Sequence, residues 1–169
     1  MNKHIAILMA GLMITCWCAG CSTSTETKPT EKTADSAKSS KAGKPEHKTA
    51  HGGSLNAIVT CENGHAEVIL EGAKLRLWFV GGGTDTTKSV RVTDPSFTLN
   101  IKVGSTIKSL TLAAKPLELA GEKIGDCSYF EGSMPELKNA KEFTADGNVT
   151  FKGRKMPIRI EYPKGYDPD

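Results

Sequence analysis

An all-β fold is predicted for this chain, in the form of an antiparallel β-sandwich of immunoglobulin-like type, and three observations predict it. Apolar residues alternate with polar ones at period two, as in Leu55, Ala57, Val59 and Cys61, in Leu75, Leu77 and Phe79, and in Phe97, Leu99, Ile101 and Val103. That period marks strands with one buried face. Turn residues recur at intervals of roughly 8 to 12 residues, the spacing of a sandwich or barrel. Only Met134 to Ala140 has a helical look, enough for about one turn near 134–140. A barrel is the alternative that the same pattern allows.

Taken in order, the first strand runs from Leu55 to Cys61. A second carries Ala66, Val68 and Leu70 on one face with His65, Glu67, Ile69 and Glu71 on the other, and a third runs from Lys74 to Phe79. Glu62-Asn63-Gly64 and Glu71-Gly72-Ala73-Lys74 have lengths suited to hairpins, so a three-stranded meander is expected. Ile69 and Trp78 fall on the nominally outer parity, which implies that this face is also partly covered. Gly81-Gly82-Gly83-Thr84-Asp85 reads as a flexible hairpin end, because no Lys-Ser/Thr follows it as a phosphate loop requires. Val90 and Val92 then suggest a short strand, which Asp94-Pro95 separates from the strand at Phe97 to Val103. Ile107, Leu110 and Leu112 break the alternation by one residue, as a bulge would. Leu117 and Leu119 follow Pro116, and Tyr129-Phe130 marks another strand. Closing strands carry Phe143 and Ala145, then Val149 and Phe151, then Met156, Ile158 and Ile160, with turns at Asp146-Gly147-Asn148 and Lys152-Gly153-Arg154.

The chain divides into three parts: 1–20, 21–53 and 54–169. The last has 116 residues, enough for one core. It carries 15 basic and 15 acidic residues, so the chain's net charge of +3 resides upstream, and a neutral domain has no electrostatic footprint for nucleic acid. From Ser22 to Gly53 the composition is Ser, Thr, Lys, Glu, Ala and Pro with almost nothing large and apolar, which predicts a disordered tether. Its root-mean-square reach is about 30 Å. At the N-terminus, Asn2-Lys3-His4 precedes an apolar run from Ile5 to Ile14, too short for a hydrocarbon core that needs about 20 residues. This order is that of a secretory signal.

Trp17-Cys18-Ala19-Gly20-Cys21 resembles the lipobox of bacterial lipoproteins, although the position three before the acceptor is Cys18 in place of the usual Leu. The resemblance implies cleavage after Gly20 and acylation of Cys21, with the lipid bilayer as a partner. Ser22, not Asp, follows the acceptor, which by the same resemblance favours the outer membrane, facing the periplasm.

Removal of the signal and acylation of Cys21 leave two cysteines, Cys61 and Cys127. In an oxidising compartment two such thiols are expected to pair, a bridge worth roughly 4 kcal/mol by loop entropy. The rival reading takes Cys61 and His65 as metal ligands across the first hairpin, and the two exclude each other. His47 and His51 lie in or at the end of the tether; His47 reads as solvated.

The order His51-Gly52-Gly53, Asn63-Gly64-His65-Ala66-Glu67-Val68, Lys74-Leu75-Arg76-Leu77-Trp78 and Ser128-Tyr129-Phe130-Glu131-Gly132 resembles a small periplasmic β-domain of proteins linked with heavy-metal efflux, including some adaptor subunits of efflux pumps. That resemblance implies a non-enzymatic module with His51 and His65 near a Cu or Zn site, metals that imidazole suits. Cys61 and Cys127 depart from the pattern, and neither a methionine cluster nor a second histidine beside His65 is present. No cofactor is otherwise required. No Gly-x-Ser-x-Gly elbow or close acidic pair suggests catalysis. The expectation is a tethered domain that binds an envelope protein or ligand, with Trp78, Tyr129, Tyr162 and Tyr166 as contact aromatics, or else handles metal for an efflux pump.

Overall fold

A computed structural model describes residues 47–168. The expected signal peptide (1–20), the acceptor Cys21 and the tether as far as residue 46 lie outside the described residues. Eight strands form one antiparallel sheet: β1 (Ser54–Ile58), β2 (Thr60–Glu71), β3 (Lys74–Val80), β4 (Ser96–Val103), β5 (Thr106–Ala114), β6 (Tyr129–Ser133), β7 (Phe143–Phe151) and β8 (Arg154–Tyr162). Their order in space is β1-β2-β3-β6-β5-β4-β7-β8.

The all-β antiparallel expectation holds, but the two-sheet immunoglobulin-like form is not confirmed. The halves β1-β2-β3-β6 and β5-β4-β7-β8 are hydrogen-bonded to each other where β5 meets β6, through the pairs Ala113↔Glu131 and Ala114↔Phe130. At the other seam the tail beyond β8 lies along β1, joined by an isolated parallel bridge between Asn56 and Tyr166. The sheet is thus nearly closed into a barrel, with Phe79, Phe97, Phe130 and Phe151 meeting ring to ring inside it. Such aromatic contacts add to the burial of Leu75, Leu77, Leu99, Ile101, Leu112, Ile158 and Ile160, which fill the rest of the interior.

The meander β1-β2-β3 forms as expected, and its second turn is Gly72-Ala73, between the pair Glu71↔Lys74. Its first turn does not sit where Glu62-Asn63-Gly64 suggested. The chain reverses at Val59, between the pair Ile58↔Thr60, and the register then shifts so that Ala57 pairs with His65. Residues 61–64 therefore have no partner on β1 and bulge from the ladder. Gly64 is needed for another reason: a Cβ there would stand 2.5 Å from the Phe151 ring.

Gly147 likewise is no turn. It lies inside an unbroken β7, where a Cβ would stand 2.7 Å from the Thr98 carbonyl oxygen. Strands β4 and β5 pair without any shift, so the expected bulge is absent and Ile107 simply faces out, 65 % exposed. Val90 lies beside the single bridge Val80↔Ser89, Val92 itself bridges to Cys127, and the two form no strand. The helical turn near 134–140 is a short 3-10 turn, Pro135–Leu137, which buries Leu137. A second such turn, Glu118–Ala120, replaces the expected extension after Pro116.

Val59 is 45 % exposed and holds φ +67°, in the left-handed region. A β-branched side chain gains nothing there and costs about 1–2 kcal/mol, partly offset by glycine's larger entropy loss. Val59→Gly is therefore expected to stabilise the fold by roughly 0.5–1 kcal/mol, read as a higher urea midpoint.

Candidate metal centre

Strand β2 alternates as expected, with Ala66 and Val68 in the core, yet His65 and Glu67 on its other face are buried as well, at 2 % and 0 % exposure. The cover is the segment 47–53, expected as the end of the tether. It is instead hydrogen-bonded to the barrel. Glu67 accepts from the backbone N–H groups of Ala50 at 3.1 Å, His51 at 2.7 Å and Gly53 at 2.9 Å, and its Oε2 lies 2.9 Å from His51 Nδ1. A buried carboxylate without partners is prohibitive, so the donors must come from somewhere, and this arm supplies them. Gly53 is required by the approach: a Cβ would stand 2.6 Å from the Val68 carbonyl oxygen and 2.9 Å from Glu67 Cγ. Further back, the Thr86 hydroxyl donates to the Lys48 carbonyl at 2.6 Å, fixing the arm beside His47.

So held, His47 meets β2. Its imidazole centroid is 4.8 Å from that of His65, at 51°. One nitrogen from each of His47 and His65 and the Cys61 sulfur all lie within 4.8 Å of one another. The bulge of residues 61–64 brings Cys61 to this point. Beneath it the triple-glycine loop is packed, not flexible: Gly83 N–H donates to the Cys61 carbonyl at 3.0 Å, and a Cβ on Gly82 would stand 2.2 Å from the Glu62 carbonyl oxygen.

The same loop orients His65. Its Nδ1 lies 3.1 Å from the Gly81 carbonyl oxygen, which can only accept, so Nδ1 is the donor of that bond and Nε2 is the nitrogen that a neutral ring would offer to a metal. Metal-binding histidines are commonly oriented in this way. His47 Nδ1 is buried and has no hydrogen-bond partner among the described residues. The Cys61 thiol donates to Asp167 Oδ1 at 3.1 Å. A cleft of ≈ 530 Å³, lined in part by His47, His65, Leu55, Tyr166 and Asp167, opens onto the cluster and gives an ion access.

Of the expected site residues, His65 and Cys61 belong here and His51 does not. The His51 ring is committed to Glu67 and stacks on Trp78 at 4.4 Å, which in turn stacks on Tyr129 at 4.6 Å. Tyr129 donates its hydroxyl proton to Glu131, and burial together with that carboxylate pushes its pKa up to about 12. Tyr162 stacks on Phe143, and Tyr166 lies under Arg159. The expected Cys61–Cys127 bridge is not formed. Cys127 belongs to the apolar core, where its thiol donates to the Tyr129 carbonyl at 3.0 Å, whereas Cys61 lies at the bulge on the far side of β3. Burial pushes the Cys127 thiol up, away from a reactive thiolate. Ser128 donates to the buried Glu122 at 2.5 Å, a loop-fixing contact with no imidazole in it.

His47 is the residue that sequence reasoning dismissed. The signal that could have found it is Glu67: a carboxylate midway along an otherwise well-patterned strand needs donors, and the nearest uncommitted chain was the arm. No family model, no curated protein and no solved structure matches this chain.

Glu67→Ala strands three backbone donors and is expected to destabilise the domain by roughly 3–5 kcal/mol. His51→Ala, which leaves those donors paired, should cost about 1 kcal/mol. Chemical denaturation checks both, and limited proteolysis should show new cleavage between 47 and 53 in the Glu67 variant only.

Proposed function

We propose that this chain is a non-enzymatic, lipid-anchored metal-handling module of the cell envelope that takes Zn²⁺ or Cu through His47, Cys61 and His65. The observation that carries this reading is the convergence of two imidazoles and a thiol within 4.8 Å, with the buried His47 Nδ1 lacking a hydrogen-bond partner among the described residues. Bond lengths of 2.0–2.3 Å put neighbouring ligands of a tetrahedral ion about 3.3 to 3.8 Å apart. The widest separation in the cluster therefore needs to contract by about 1 to 1.5 Å, within the reach of side-chain rotation. Soft sulfur with imidazole suits Zn and Cu and disfavours Mg or Ca. An accessory role beside an efflux pump is the biological setting that fits such a module.

The anchor rests on Trp17-Cys18-Ala19-Gly20-Cys21 and the basic, apolar order before it. Outer-membrane placement rests on Ser22. A second reading, docking of an envelope protein, draws on one loop: Leu117, Leu119 and Ile124 are exposed together there, Leu119 completely so.

Titration of the purified protein with Zn²⁺ and with Cu²⁺ should give a dissociation constant below about 1 µM for at least one of them. Cys61→Ser and His65→Ala should each weaken it by about 100-fold or more, and His51→Ala by less than about tenfold. Equal affinity in all four proteins would end the metal reading. For the anchor, Cys21→Ser should move the protein from the detergent phase to the aqueous phase in Triton X-114 partitioning; unchanged partitioning would refute acylation at Cys21.

A further inference from the structure

The ligand set described so far draws on the arm and on β2. A further segment reaches the Cys61 side of the cluster. The tail beyond β8 lies in the seam between the two edges of the sheet, where Ala57 N–H donates to the Tyr166 carbonyl at 2.7 Å and Tyr166 N–H donates to the Leu55 carbonyl at 3.2 Å. Glu161 N–H donates to Asn56 Oδ1 at 2.8 Å across that seam. Gly165 makes the close approach feasible, since a Cβ would stand 2.4 Å from the Leu55 carbonyl oxygen and its φ is +82°. Arg159 covers the Tyr166 ring at 5.1 Å. These contacts deliver Asp167, whose Oδ1 lies 3.1 Å from the Cys61 sulfur.

That separation is close to the spacing of neighbouring ligands on one tetrahedral ion, about 3.3 to 3.8 Å. We infer that Asp167 is the fourth ligand of the centre, and that the bound metal clasps the barrel shut by tying the arm, β2 and the C-terminal tail together across its open seam. The inference rests on the metal reading above and adds to it. Two ligands come from β2: His65 is paired on both sides, to Ala57 and to Val80, and Cys61 lies in the bulge beside it. The other two come from the segments that enter and leave the barrel, and each of those is held by a handful of hydrogen bonds. An ion bonded to all four makes the closure of the seam part of its own coordination. Binding energy then appears as folding energy, as in other sites that assemble only in the folded chain. The set of two imidazoles, one thiolate and one carboxylate is a closed set for Zn²⁺, with no position left for a substrate.

The test uses the whole mature protein with Zn²⁺ alone as the probe. Hydrogen exchange at the Ala57 and Tyr166 amides, which span the seam, is measured with and without the ion beside a competition titration for affinity. In the wild type, Zn²⁺ should slow both amides by about tenfold or more. Asp167→Ala should bind at least about tenfold more weakly and lose that slowing. Asp167→Asn, which keeps an acceptor for the Cys61 thiol and hence the apo fold, should lose it as well. Wild-type affinity in both variants, or slowing that survives in them, would overturn the clasp while leaving a three-ligand centre. Binding in the wild type with no change at either amide would overturn it too. Failure of the wild type to bind at all would be seen in the titration and would remove the metal reading itself.

Discussion

The Glu67 carboxylate is the contact on which the rest depends. It is wholly buried on the outward face of a central strand, and its four donors all come from residues 50–53. Hydrogen bonds to charged groups contribute about 1.5–3 kcal/mol each, and losing them exposes the far larger cost of an unpaired buried charge. The arm is therefore not free to leave. Because it lies on β2 with Gly53 against Val68, His47 is carried to the end of the barrel where Cys61 and His65 already stand. The His51-Gly52-Gly53 motif is thus a latch. Its imidazole and its glycine serve the carboxylate, and the candidate metal ligands His47, Cys61 and His65 lie on either side of it in sequence.

Strand β2 accordingly does two things with its two faces. Ala66 and Val68 enter the core, while His65 and Glu67 meet the arm. A register shift makes room for both, since the unpaired residues 61–64 allow Cys61 to turn toward the same end. The glycine loop at 81–83 supports the bulge from below and supplies the carbonyl that orients His65. Glu122 repeats the device at the opposite flank, where its buried carboxylate accepts from the backbone of Leu117 and Ser128 and from the Ser128 hydroxyl. Two long irregular segments of this small barrel are each pinned by one carboxylate.

Much of the fold was legible because alternation and turn chemistry are local. Gly72-Ala73 and Lys152-Gly153 sit in two-residue hairpins, and the inward parity of β3, β4 and β8 is as the pattern implied. What misled were glycines inside strands. Gly64 and Gly147 are required by Phe151 and by the Thr98 carbonyl, neighbours that local sequence does not reveal, and a glycine needed for close approach looks the same as one needed for a turn. Closure of the sheet rests on two residue pairs between β5 and β6 and on a tail bridge, too few contacts to leave a periodic trace. In the site, His65 was found and His47 was lost for one reason. The first stands on a strand with a period, while the second stands in a stretch whose composition argues for disorder and whose order comes from a partner 17 residues away from Ala50.

The two cysteines show how far compartment arguments reach. An oxidising environment makes pairing of two remaining thiols favourable only if the fold brings them within bonding distance, and here β3 stands between them. Cys127 is sealed in the core with its thiol held protonated by burial, so it neither pairs nor ligates. Cys61 is buried too but has other surroundings: two imidazoles and a carboxylate, whose residues His47, His65 and Asp167 line an open cleft. A cation bound among these groups would take the place of the thiol proton and hold the sulfur as thiolate, and it would also shield the sulfur from oxidation. The disulfide and metal readings were mutually exclusive from the start. The position of Cys127 removes the first, and the second is left with a donor set that the arm completes.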